Sequence, residues 1–272
     1  MRKWRQLLAD SLLAVNRLVS SGESSPTCKA STLVFAPHPD DEVLGCGGTI
    51  ALKTQVGARV KVVVMTDGRA SHRALIAEDD LVRMRRAEAE EAAIELGLTT
   101  EDYVFLDFED HRLYQYHDVA IDRIFAIIDQ FEPDEIYLPH RRDGITDHVA
   151  TNCIVREAVN RIKKPVTLFE YPVWLWNSWP WTQGGTRYPS NGVRRMLGVM
   201  HDIVELVFAC RIRVEVRSTL HRKQSALAAY RSQTQRFDGN PQWPILADVA
   251  EGDFLRCFDS SIEIFRRTNH HV

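Results

Sequence analysis

The chain has 272 residues, of which 44% are apolar and 26% charged, with a formal net charge of -3. That composition suits one large globular domain or two small ones and excludes disorder over most of the length, while the charge excludes a globally basic nucleic-acid binder. The five cysteines (Cys28, Cys46, Cys153, Cys210 and Cys257) are scattered and form no C-x-x-C pair. This excludes a disulfide framework or zinc ribbon and points to a reducing cytoplasm.

Residues 1–26 read as an N-terminal extension and 27–272 as the main domain. Leu8, Leu12, Val15 and Val19 recur at helical spacing, predicting an amphipathic helix that packs on the domain or on a second subunit, with docking on a membrane surface as the alternative. Asp10 and Arg17 interrupt its apolar run, so it is too short for a signal-peptide core or a transmembrane segment. After the Ser-rich link Ser20–Pro26, short apolar runs alternate with helical patterns. Strands are predicted at Thr32–Ala36, Arg59–Thr66, Tyr103–Leu106, Glu135–Leu138 and Val166–Val173. Helices are predicted at Gly47–Gln55, Asp80–Leu96, Val119–Phe131 and Asp147–Ile162. The rhythm predicts an α/β, Rossmann-like, mostly parallel sheet with helices on both faces. Trp174, Trp176, Trp179 and Trp181 open an aromatic-rich stretch, with 176–210 read as an insertion. A helical pattern there sets Met196, Val199, Met200, Ile203 and Val207 on one face. A strand (RIRVEVRS), a helix at Leu220–Tyr230 and a short strand near Ser261–Phe265 close the chain, with His270 and His271 as a disordered end.

Ligands of such sheets sit beyond the carboxyl ends of the strands, and two polar clusters follow predicted strand ends. The first is Ala36-Pro37-His38-Pro39-Asp40-Asp41-Glu42. His38 and Asp41 lie on a tight turn within reach of one zinc-like divalent ion. Asp40 and Asp41 are neighbours whose side chains point apart, so one carboxylate coordinates while the other faces a bound water and takes its proton. The bland alternative is an acidic turn at a helix N-terminus. Gly45-Cys46-Gly47-Gly48 follows, but Ile50 breaks a G-x-G-x-x-G pattern and no Gly-Lys-Ser/Thr occurs. The glycines therefore read as close-packing positions. The second cluster is His140-Arg141-Arg142-Asp143-Gly144-Ile145-Thr146-Asp147-His148. His148 opens a helix at the same sheet edge as His38, completing a His–Asp–His set, with Asp147 orienting an imidazole or capping the helix.

The segment A-P-H-P-D-D-E-V-L-G-C-G-G-T, with D-H-V-A-T downstream, resembles the PIG-L (LmbE-like) metal-dependent N-acetylglucosaminyl deacetylases. Supporting residues are Thr66-Asp67-Gly68, Arg85, Glu88 and the late series Lys223, Ala226, Tyr230, Ser232 and Gln233. The resemblance implies a Rossmann-like layer, His38, Asp41 and His148 as ligands of Zn2+ (or Fe2+), and Asp40 as general base. It further implies hydrolysis of an N-acetyl group on a small-molecule or glycan-conjugate substrate. Asp67, Arg69, Asp110, His140, Arg141 and Lys223 are candidate substrate contacts, each weighed against ion-pair or surface duty. One departure matters. The histidine that many members carry three residues before the last ligand is Ile145 here. His140, Arg141, Arg142 or His221 could substitute, or Asp40 could act first as base and then as acid. A non-sugar amidase and a catalytically impaired sugar- or metal-binding relative are the competing expectations.

Overall fold

The computed structural model describes residues 2–20, 28–182 and 192–270. Most of the Ser-rich link, part of the insertion and His271 lie outside the described residues.

The apolar runs are strands because valine, isoleucine and phenylalanine suit a pleat buried on both faces. β1 (Thr32–Ala36), β2 (Val60–Thr66), β3 (Tyr103–Phe108), β4 (Glu135–Pro139) and β5 (Val166–Tyr171) run parallel. β6 (Ile212–Glu215) and β7 (Ile262–His270) add an antiparallel edge, giving the order β3-β2-β1-β4-β5-β7-β6. Side chains alternate across the sheet. Val34, Val62 and Val64 pack with α2 (Asp41–Gln55), α3 (Glu78–Leu96) and α7 (Leu220–Ala229). Leu33, Phe35, Val63 and Met65 pack on the other face with α4 (His117–Phe131) and α5 (Thr146–Val159). The doubly covered α/β sheet is as the rhythm predicts.

Four local expectations are corrected. α2 begins at Asp41, not Gly47: its first turn carries Asp41 and Glu42, and Cys46 is a non-helical joint before the predicted segment. Carboxylates near a helix N-terminus stabilise that extra turn. β7 runs on through charged residues to His270, which pairs with Val166. Arg266 meets the buried Glu170 of β5, so the charges that read as a strand end are satisfied by the neighbouring strand. On α1 (Arg2–Val19) the predicted stripe docks only in part: Leu12 packs on the core, Leu8 and Val19 are half-buried, Val15 points outward, and Arg5, Ala9 and Asn16 are the buried residues. Arg5 donates to the carbonyls of Pro180 and Trp181, and Asn16 to those of Leu206, Val207 and Cys210. In α6 (Val193–Val204) Met196 and Met200 are exposed, while Ile203, and Val207 in the turn that follows, are buried.

The glycine run is a packing device. A Cβ on Gly45 would collide with the Tyr171 ring, and one on Gly48 would lie 2.6 Å from Cβ of Val216. Lys223 of α7 reaches the same joint, where it is buried 2.8 Å from the Glu263 carboxylate of β7. Glu263 also accepts from the Gly48 and Thr49 backbone N–H groups. Lys223→Met is expected to destabilise the fold by about 3 kcal/mol, because one member of a buried ion pair is then left without its counter-charge. Urea unfolding measures the loss.

Candidate metal centre

β1 lies between β2 and β4, so chain order reverses at β1/β4 and the loops after these two strands splay apart. Ligands of open α/β sheets bind at such a switch point. The loop after β1 holds His38 to Asp41, and the loop after β4 leads through Asp143 into α5, whose first turn carries Asp147 and His148.

Asp41 is the hub. One carboxylate oxygen, Oδ2, lies 3.1 Å from His38 Nδ1 and 3.1 Å from His148 Nε2. The two rings are 5.3 Å apart between centroids. Each imidazole is braced by carboxylate through its other nitrogen. His148 Nδ1 is 2.7 Å from Asp143 Oδ2. His38 Nε2 is 3.2 Å from Asp110 Oδ1 and 3.4 Å from Asp147 Oδ2. The bracing groups are themselves fixed. Asp143 Oδ1 accepts from the N–H of Val173 and Leu175, and Asp147 accepts from the N–H of His111 and Leu113. An imidazole that gives one nitrogen to a carboxylate presents the other in a defined direction, which is how histidine ligands are oriented. His148 Nε2 is wholly buried and faces Asp41 Oδ2 without forming a hydrogen bond of good geometry. Two borderline nitrogens and one oxygen converging there fit a divalent cation. His38, Asp110 and Asp147 form a second close group. Its carboxylates brace the far nitrogen of His38, which sets the first group as the better candidate.

Asp40 stands apart from Asp41 because its backbone turns sharply. Its φ of 117° lies in the left-handed region, a strained conformation for a non-glycine residue. Its carbonyl accepts the first bonds of α2, and its carboxylate meets Arg85 at 3.3 Å. It lines a cavity of about 290 Å³ with His38, Asp41, Arg85, Asp110, Ile145 and Trp174. Burial pushes the Asp40 carboxyl up to about 8, against the pull of the Arg85 guanidinium. Burial also pushes Asp41 up, but His148 and His38 outweigh it and hold that carboxyl well below the usual range. Burial pulls the His148 imidazole down, yet Asp41 and Asp143 raise it to about 9. Two adjacent carboxyls thus have opposite proton affinities, set by one turn of backbone.

The other predicted contacts divide. Asp110 lines the cavity, and Asp147 braces His38. Asp67 and Arg69 pair with each other at 2.7 Å after β2, and neither lines the cavity. His140 is buried between Glu170 and Glu205, and Arg141 also reaches Glu205. Neither lines the cavity. Lys223 is not a cavity residue either, being spent on Glu263. His221, Arg142, His140 and Arg141 therefore do not fill the position of Ile145. Of the tryptophans, Trp174 lines the cavity and stacks on Phe254, whereas Trp176 and Trp181 are buried against each other. Sequence reasoning missed Asp143, which with Gly144 reads as an ordinary turn. Arg85 was visible only through its spacing.

Fold and site together define an α/β protein with a candidate cation centre at the switch point of its sheet. Residues 33–159 match the PIG-L family, described as GlcNAc-PI de-N-acetylase. It is 32% identical over 138 residues to the probable N-acetyl-alpha-D-glucosaminyl L-malate deacetylase 2 of Bacillus cereus, covering 48% of this chain and 62% of that one. It is 30% identical over 196 residues to a 1D-myo-inositol 2-acetamido-2-deoxy-alpha-D-glucopyranoside deacetylase of a Mycobacterium species, covering 61% and 64%. The chain thus spans somewhat less than two thirds of these relatives. A solved structure of N,N'-diacetylchitobiose deacetylase from Pyrococcus horikoshii shares the fold, with a TM-score of 0.63 over 93% of this chain and 90% of that one at 21% identity.

Proposed function

We propose that the protein is a zinc-dependent hydrolase that removes the N-acetyl group from an amino-sugar substrate, with Asp40 as general base. The observation that carries this is the convergence of His38, Asp41 and His148 beside a cavity into which Asp40 projects. A divalent cation held by those three residues would supply Lewis acidity toward a water and an amide oxygen, and two imidazoles with one carboxylate suit zinc, or iron(II). Asp40 accepts a proton as the water oxygen adds to the acetyl carbon, while Arg85 steadies its carboxylate. The C–N bond then breaks, Asp40 returns the proton to the nitrogen, and acetate and a free amine leave. The amino-sugar class is supported by the names of the curated relatives, both of which specify acetylated glucosamine derivatives.

The test is acetate release from a panel of N-acetylglucosaminides and non-sugar amides by zinc-loaded protein, with chelator-treated protein alongside. Zinc-dependent release from the sugars alone is expected. Ile145 puts an apolar side chain in the cavity and supports the competing reading of a binding protein. Tight sugar binding without acetate release would establish that reading instead.

Asp143 gives a separate expectation. Asp143→Asn should weaken zinc affinity by about 10- to 100-fold, because it loosens the orientation of His148. Calorimetric zinc titration reads the loss, and a near-normal melting temperature separates it from misfolding.

A further inference from the structure

Two helices turn apolar stripes outward. On α1, Trp4, Leu7, Val15 and Leu18 recur along the face opposite Arg5, Ala9 and Asn16, and Leu18 is 74% exposed. On α6 the outward residues are Val193, Met196, Leu197, Met200 and Val204, continued by Phe208. The stripes adjoin. Asn16 holds the chain just after α6, and Trp4 lies 6.1 Å from Trp179. Trp179 in turn shares a groove of about 330 Å³ with Met196 and Met200. More than half of the large apolar side chains exposed among the described residues belong to these stripes. A contiguous patch of this kind marks an interaction surface.

The charges around the patch select the partner. Among the described residues the exposed charges of α1 are Lys3 and Arg17 with one acid, Asp10, and α6 exposes Arg194. The acids Asp202 and Glu205 are buried. Cations are therefore gathered here on a chain whose net charge is -3. Amphipathic helices with Trp, Leu and Met on one side and Arg and Lys beside them lie in the headgroup region of anionic bilayers. A second copy docked by a two-fold axis would set these cations close to their own counterparts. Among the described residues no helix is long and apolar enough to cross a membrane, so contact would be in the plane of the surface.

We propose that the joined outer faces of α1 and α6 dock on the surface of an anionic phospholipid bilayer. The apolar stripes enter the boundary between headgroups and acyl chains, and Lys3, Arg17 and Arg194 meet the phosphates. This inference stands independently of the proposed chemistry, because it is read by partition and not by turnover.

The test is flotation of the full chain with vesicles of phosphatidylcholine, with or without phosphatidylglycerol. Co-flotation with the phosphatidylglycerol vesicles is expected. It should fall by about tenfold in Leu7→Glu/Met200→Glu and weaken in Arg194→Glu, all at exposed positions. Failure to float with phosphatidylglycerol vesicles overturns the proposal, as does equal flotation of the wild type and both variants. Equal binding to phosphatidylcholine alone overturns the anionic assignment. A dimer in light scattering that Leu7→Glu/Met200→Glu abolishes, without vesicle binding, gives the face to a second copy and also overturns it.

Discussion

Asp41→Asn is expected to lose zinc binding by more than about 100-fold and to show no measurable acetate release. The magnitude follows from position. Even partners that only brace a ligand cost about 10- to 100-fold in affinity when lost, and Asp41 is the group that both imidazoles face at 3.1 Å. An amide keeps the shape and one acceptor, so the hydrogen bond from His38 N–H can persist. It lacks the negative charge that a divalent cation requires between two neutral imidazoles. Calorimetric zinc titration and an acetate assay on the same preparation read both effects. Full zinc affinity in the variant would remove Asp41 from the ligand set.

Asp40→Asn, one residue away, is expected to do the opposite to binding. Zinc stoichiometry and affinity should stay near those of the wild type, while kcat falls by about 100- to 10,000-fold, the range for loss of a positioned general base. The carboxylate lines the cavity and meets Arg85, not the imidazoles. Unchanged turnover would exclude Asp40 as the base. The contrast between these neighbours is the sharper result, because a shared loss of zinc in both variants would indicate a disturbed turn. Arg85 holds that turn by donating to the Pro39 carbonyl as well as to Asp40.

The valine-rich strands, the charged helix over Asp80–Leu96 and the alternation of strand with helix are written in local residue pattern. Their periodicity records which faces are buried. The motif from His38 to Asp41 was legible for the same reason, since its donors lie within one turn. His148 was legible because a parallel sheet brings successive strand ends to one edge. Lys223 and His140 misled because a charged or imidazole side chain in isolation carries no sign of the buried Glu263 or Glu205 that would meet it. β7 was read too short because Arg266 and Arg267 look like an end until Glu170 of the neighbouring strand is beside them.

By itself, the sequence determined the layered α/β class and put the two polar clusters after strand ends at one edge of the sheet. Only the tertiary structure decided which atoms meet. It put Arg85 beside Asp40, set Asp143 and Asp110 behind the imidazoles, and left Ile145 facing the cavity without a substituting histidine from the predicted set. The physical reason is range: hydrophobic periodicity is a local signal, whereas ligand geometry and proton affinity depend on charges brought within a few ångströms by residues dozens of positions apart.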